Sequence, residues 1–289
     1  MLNNISIIGL GLLGGSVAMA VSRYLNRVSV RGYAHRESTR AKALDLGLVQ
    51  EATGDLKACV SGADLVILAT PVLTFETLFQ TMARALPAGC IVTDVGSTKA
   101  LIHQWAGRCL PRSVHYVGSH PMAGSEQRGL EFARDDLFDR ALCLLTHDRT
   151  TNPEALAQVE SFWRGLGCRT ERLTPTQHDR IVAHISHVPH ALAAALINAM
   201  PDKELVFAGK GFMDTSRIAS GPADVWADIF MTNPQAVCRG IDRVIDQLTR
   251  LRAAIEIQKR APIERLLDKA RRRRAAMIKD KIDRKELLA

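Results

Sequence analysis

Aromatic residues are scarce in this chain. Phe, Trp and Tyr together make up 5% of 289 residues, so aliphatic side chains must do most of the core packing. The six cysteines, at 59, 90, 109, 143, 168 and 238, include no C-x-x-C pair and no grouping suited to zinc. Several sit in apolar runs, Cys90-Ile91-Val92 and Cys143-Leu144-Leu145 among them. They read as free, buried thiols of a reducing compartment. No basic side chain stands in Met1-Leu2-Asn3-Asn4. The apolar stretch 5–21 therefore does not read as a secretory signal, although Ala18-Met19-Ala20 imitates a cleavage site. No other stretch reaches the ~18 uninterrupted apolar residues of a membrane helix. A soluble, cytoplasmic protein with no membrane partner is expected. There is no internal repeat.

What is present suffices for a globular fold. Hydrophobic residues make up 47% and charged residues 24%, enough for one large domain or two modest ones. The net charge is +8. Its densest block is 259–285, centred on Arg271-Arg272-Arg273-Arg274, and elsewhere the signs are mixed. Leu266, Leu267, Ala270, Met277 and Ile278 line one side of that block. A solvated helix that packs in a dimer explains this better than nucleic-acid binding.

The first half alternates short apolar runs with segments of helical period. Strands are expected at 5–8, 28–33, 65–69, 90–94, 116–118, 142–146 and 169–173, with helices such as 73–86 and 98–110 between them. Such alternation predicts a mostly parallel sheet with helices on both faces. Near Thr174-Pro175 the pattern changes. Beyond it only helices are expected, at 176–200, 222–230, 234–258 and from 262 on, with Pro175, Pro222, Pro234 and Pro262 placed to start them.

The first strand runs directly into Gly9-Leu10-Gly11-Leu12-Leu13-Gly14, a G-x-G-x-x-G between strand and helix. Gly9 permits the tight turn, Gly11 leaves room for a pyrophosphate, and Gly14 lets helix and strand approach. The helix N-terminus that follows offers N–H groups to phosphates, and Leu12 is expected beside the cofactor with the three glycines. The expected fold class is therefore α/β: a Rossmann-type doubly wound parallel sheet over 1–174 that binds a dinucleotide, then an all-helical domain over 175–289. The second strand ends Gly32-Tyr33-Ala34-His35-Arg36. The acid that would bind the ribose hydroxyls of NAD is missing, and His35 with Arg36 suits a 2′-phosphate. NADP is favoured, with NAD as the alternative if Glu37 serves the ribose.

Ligands in such sheets sit at the carboxyl ends of the strands. Polar residues gather at three of these: Thr70-Pro71, expected beside the cofactor; Gly96-Ser97-Thr98-Lys99; and Ser119-His120-Pro121-Met122-Ala123-Gly124-Ser125-Glu126. Ser97 or Thr98 would also serve as a helix cap. A histidine within a Gly/Pro/Ser cluster suits proton transfer, because its pKa is near neutral. His184, His187 and His190, spaced by three, share roughly one helical face, and with His178 they raise a metal site as an alternative; no metal is expected.

These segments resemble the prephenate/arogenate dehydrogenases. The similarity continues through His178-Asp179, Ser186-His187-Val188-Pro189-His190, Gly211-Phe212 with Asp214 and Arg217-Ile218-Ala219, and Trp226 with Asp228-Ile229-Phe230. It covers residues 5 to 231. The resemblance implies hydride transfer from the carbinol carbon of prephenate to NAD(P), with loss of the ring carboxylate as CO2, on the route to tyrosine. It implies that His120 takes the hydroxyl proton and that Ser97 hydrogen-bonds the same hydroxyl or His120. Arg217 would pair with a substrate carboxylate, and His190 would assist binding. His187, Glu126, Asp214 and Trp226 would lie at or behind the substrate cleft. A homodimer through the helical domain is also implied. Arogenate is the alternative substrate. A β-hydroxyacid-type dehydrogenase and a non-catalytic nucleotide-sensing or nucleic-acid-binding module are the other readings.

Overall fold

The computed structural model describes residues 2–25, 27–124 and 127–284. The chain forms two compact units, Met1–Val237 and Cys238–Ala289. In the first, six strands form one parallel sheet: β1 (Asn4–Ile8), β2 (Ser29–Tyr33), β3 (Glu51–Thr53), β4 (Leu65–Leu68), β5 (Ile91–Asp94) and β6 (His115–Tyr116). Helices α1 (Leu12–Tyr24), α2 (Glu37–Asp45), α3 (Leu56–Val60), α4 (Phe75–Met82) and α5 (Ala100–Cys109) join them. The strand order is 3-2-1-4-5-6, that of a dinucleotide-binding sheet, whose ligand crevice lies where the order reverses. Here that point is between β1 and β4, with Ile8 opposite Leu68.

Both faces of the sheet are covered, so its central strands β1, β4 and β5 are buried along nearly their whole length. β4 is Leu-Val-Ile-Leu, all four buried. Alternation divides the side chains between two cores. Ile5, Ile7, Leu65, Ile67 and Ile91 pack with Val17, Ala18 and Val21 of α1. Ile8, Val66, Leu68 and Val92 pack with Phe75, Phe79, Met82, Ile102 and Trp105. Aliphatic side chains indeed dominate, and the few aromatics meet edge to face, as Phe138 and Trp163 do at 5.4 Å.

A second sheet was not anticipated. The expected strand 116–118 breaks at Val117, whose N–H still bonds Val92 O. The chain then pairs as β7 (Gly118–Pro121) with β8 (Leu142–Thr146), antiparallel, and β8 pairs in parallel with β9 (Arg169–Leu173). Thr93 and Ser119 join the sheets through their hydroxyls, 2.6 Å apart. His120 thus lies within a strand instead of beyond its end. The short β3 was also missed, because Glu-Ala-Thr carries no apolar signal. α6 (Pro153–Gly165) is capped by Asn152 with Pro153 in its first turn.

Beyond residue 174 the described residues are helical: α7 (Pro175–Val182), α8 (Val188–Asn198), α9 (Asp202–Leu205), α10 (Lys210–Ser216), α11 (Ala223–Thr232), α12 (Pro234–Glu256) and α13 (Arg260–Asp283). Thr174 and Gln177 form a capping box that starts α7. Pro175 opens α7, Pro222 precedes α11 and Pro234 opens α12, whereas Pro262 falls inside the first turn of α13. α7 and α8 are one rod joined by a π turn, Ala183–His187. Pro189 has no N–H to offer the carbonyl four residues back, and the wider turn takes up that misfit. By length and composition this rod is apolar enough to span a membrane, yet its polar residues His178, Asp179, His187 and His190 are buried in the protein. In the second unit α13 buries none of its residues, and the whole positive excess of the chain falls in 238–289.

The β5–α5 loop is held by a buried ion pair. Lys99 Nζ lies 2.7 Å from Asp94 Oδ1, and both side chains are fully buried. The ammonium also donates to Gly96 O and Thr98 O, while Tyr116 Oη and Gly96 N donate to the Asp94 carboxylate. Removing one partner strands the other charge in the interior. Lys99→Met is expected to lower unfolding free energy in urea by about 3–5 kcal/mol; a loss below about 1 kcal/mol would mean the pair is solvated.

Candidate active site

The cradle is built at the switch point of the sheet. Gly9 has φ 104°, a left-handed conformation that favours glycine, and its N–H bonds Tyr33 O. A Cβ on Gly14 would stand 1.9 Å from Gly9 O, so helix and turn touch there. A Cβ on Gly11 would meet nothing within 4 Å. That open space lies at the start of α1, where among the described residues no side chain caps the free N–H groups and no acid occupies the first turn. An uncapped helix end facing open space fits a pyrophosphate. Leu12 opens α1 there. Thr70 and Pro71, also expected at the cofactor, are adjacent, since a Gly9 side chain would strike Thr70 and the Ala69 carbonyl. At the end of β2, Ala34 is buried while His35 and Arg36 are exposed. Arg36 has no acidic partner among the described residues. Arg40, which the sequence reading passed over, joins the same turn by donating to Ala34 O and His35 O.

His120 lies in β7, 9% exposed. Its Nδ1 is 2.9 Å from His178 Nε2, and His178 Nδ1 is 2.8 Å from Asp179 Oδ1. Asp179 in turn accepts the backbone N–H groups of Lys99 and Ala100, at 2.7 and 2.8 Å. α5 is therefore capped by a carboxylate from α7. Neither Ser97 nor Thr98 caps it: Thr98 Oγ1 bonds Thr232 of α11 at 2.9 Å. Ser97 is half-buried and, among the described residues, has no side-chain hydrogen bond. Of the two partners expected for Ser97, the substrate hydroxyl and His120, the second is taken by His178. Burial, reinforced by His178 and the Lys99 cation, holds His120 well below the usual imidazole range. Burial and Lys99 do the same to His178. Burial pushes Asp179 up, while the N–H groups of Ala100 and Lys99 pull it back.

A second cluster is contiguous with the first. Asn233 Nδ2 donates to Asp179 O at 2.8 Å and lies 3.4 Å from His187 Nδ1. Burial brings His187 down to about 4, and its Nε2 is buried with no partner among the described residues. His190 stacks on Trp226, centroids 3.6 Å apart and planes 10° from parallel, and its Nδ1 is likewise buried without a partner. Two unsatisfied buried ring nitrogens beside an indole suit a polar ligand. The histidines 184, 187 and 190 do not share one face as expected: the π turn leaves His184 exposed while the other two are buried. Arg217 is exposed at the end of α10, next to Ile218, whose backbone faces His190. Asp214 pairs with Lys210 at the surface. Glu126 falls outside the described residues. Sequence reasoning missed Asn233 and the positions of Lys99 and Asp179, whose roles depend on partners distant in the chain.

Two family models match: the nucleotide-binding domain of prephenate dehydrogenase over residues 17–172 and its dimerization domain over 174–269. The chain belongs to the prephenate dehydrogenase family. It is 34% identical over 262 residues to a cyclohexadienyl dehydrogenase of Zymomonas mobilis, covering 88% of this chain and 89% of the relative. A prephenate dehydrogenase from A. aeolicus, crystallised with hydroxyphenyl propionate and NAD+, superposes with TM-score 0.89 at 29% identity, covering 96% of this chain and 99% of that one. A Synechocystis arogenate dehydrogenase superposes with TM-score 0.83 at 31% identity, over 95% and 99%.

Gly11 and Gly14 separate binding from folding. Gly11→Ala is expected to leave the melting temperature within about 2 °C of the parent, since the added methyl meets nothing, and to weaken dinucleotide binding at least about tenfold. Gly14→Ala should cost more than about 2 kcal/mol through its clash with Gly9. Equal effects of the two in both assays would contradict the assignment.

Proposed function

We propose that this chain is an NAD(P)-dependent dehydrogenase that oxidatively decarboxylates prephenate to 4-hydroxyphenylpyruvate, on the route to tyrosine. The observation that carries the reading is His120: a buried, neutral imidazole with one ring nitrogen already occupied by His178, in a chain that matches the prephenate dehydrogenase family over most of its length. A bound nicotinamide coenzyme supplies the hydride acceptor. Gly9, Gly11 and Leu12 would hold its pyrophosphate, with Gly14 seating the helix against the turn and Thr70 and Pro71 alongside. His120 takes the proton of the substrate hydroxyl on Nε2, and Ser97 hydrogen-bonds the same hydroxyl. Arg217 pairs with a substrate carboxylate, while His187 and His190, backed by Trp226, present ring nitrogens to the side chain. Glu126 is assigned to the cleft on the sequence resemblance alone.

NADP is the coenzyme we favour. Support comes from the buried Ala34 where an acid would bind ribose hydroxyls, and from Arg36, His35 and Arg40 gathered at the same turn. A division of labour at residue 174 is supported by the boundary between the two family models. A homodimer through the helical part is supported by the name of the second model and by the exposed Ile245, Leu248 and Ile255 of α12. Six free cysteines suit a reducing, cytoplasmic setting.

The direct test is absorbance at the reduced-nicotinamide band, with prephenate or arogenate and NAD or NADP in turn. A rise with prephenate and NADP is expected; no rise with any pair would remove the function. Arg36→Ala should lower kcat/KM at least about tenfold with NADP and far less with NAD, and an equal loss with both would refute the 2′-phosphate contact. His120→Asn should lower kcat by roughly 10²–10⁴-fold. Because the neutral imidazole is the base and burial lowers its pKa, kcat/KM should fall only as pH drops below 6.5. An acid limb at or above 6.5 would contradict that environment.

A further inference from the structure

The hydrogen bonds around Asp179 dictate where the protons of two histidines sit. Backbone N–H groups can only donate, so Lys99 N and Ala100 N fix both oxygens of Asp179 as acceptors. The carboxylate stands at the start of α5, where the helix dipole favours an anion. His178 Nδ1, 2.8 Å from Asp179 Oδ1, must therefore carry a proton. His178 is fully buried beside the cation of Lys99, and both effects keep it neutral. A neutral imidazole has a single N–H, so His178 Nε2 is a lone pair. It faces His120 Nδ1 at 2.9 Å. Two lone pairs cannot share that distance, so His120 Nδ1 bears the hydrogen and His120 Nε2 is left bare.

We infer that His178 and Asp179 are positioning residues that lock His120 in its Nδ1–H tautomer, making Nε2 the one nitrogen able to take a proton. The inference rests on His120 being the base. In the step itself the substrate O–H bond breaks and an N–H bond forms at His120 Nε2. The resulting charge is shared through the Nδ1–H bond to His178, whose own Nδ1–H points to the Asp179 carboxylate. No further proton enters or leaves. The logic is that of a catalytic triad, where a carboxylate fixes the tautomer of the base, extended here by one imidazole.

The test separates this inference from the proposed reaction, since its first reading needs no substrate. Long-range ¹H–¹⁵N spectra of the ¹⁵N-histidine-labelled protein at pH 7.5 report each tautomer. His120 and His178 should both show a protonated Nδ1 and a bare Nε2; a protonated Nε2 on His120 overturns the inference. Turnover gives the second reading. His178→Gln keeps a donor towards Asp179 and an acceptor towards His120, and should retain kcat within about tenfold. His178→Leu keeps neither, and should lose roughly 10²-fold or more in kcat with KM within about twofold. A glutamine variant no better than leucine overturns the inference, as does a leucine variant with parental kcat. If the leucine variant fails to fold, the spectrum of the parent and the glutamine variant still decide.

Discussion

Much of the candidate site depends on one carboxylate. Asp179 caps α5 from a helix far along the chain, and the same side chain orients His178 and, through it, His120. A short contact between a helix N-terminus and an acid is worth little at a surface but more when buried, because the N–H groups have no water to turn to. The contact ties the helical segment that begins at Pro175 to the loop after β5. That loop is itself fixed by Lys99 and Asp94. The loop, the helix and His120 are thus parts of one buried polar network.

The nucleotide cradle is built on the opposite principle. Its key features are places where side chains are missing: the clear space at Gly11 and the contact of Gly14 with Gly9. Small residues leave open space at the helix start on one side and bring helix onto turn on the other. The two devices meet at the carboxyl ends of neighbouring strands, since β5, which leads into the polar network, pairs with β4, which flanks the cradle.

Parts of this were legible in advance. The apolar runs that became β1, β4, β5 and β8 announce themselves because strands buried on both faces need near-continuous hydrophobic sequence. The turn of Gly9, Gly11 and Gly14 between strand and helix could be placed from its offsets, and Pro175, Pro222 and Pro234 mark helix starts. Other features were hidden. β3 is too short and polar to stand out. The break at Val117 leaves no mark, because residues on either side of it are equally suited to a strand. The π turn at Ala183–His187 overturned the reading of His184, His187 and His190 as one face, since a single wide turn shifts the phase of everything after it.

The sequence by itself determined the parallel sheet, the glycine turn between β1 and α1, and the helical second part. Each of these rests on neighbours within about twenty residues, where spacing encodes geometry. Only the tertiary structure decided what His120 is bonded to. His178 lies 58 residues away and Asn233 lies 54 from Asp179. Hydrogen bonds across such separations follow from how sheet and helices pack, and no local pattern of residues records them.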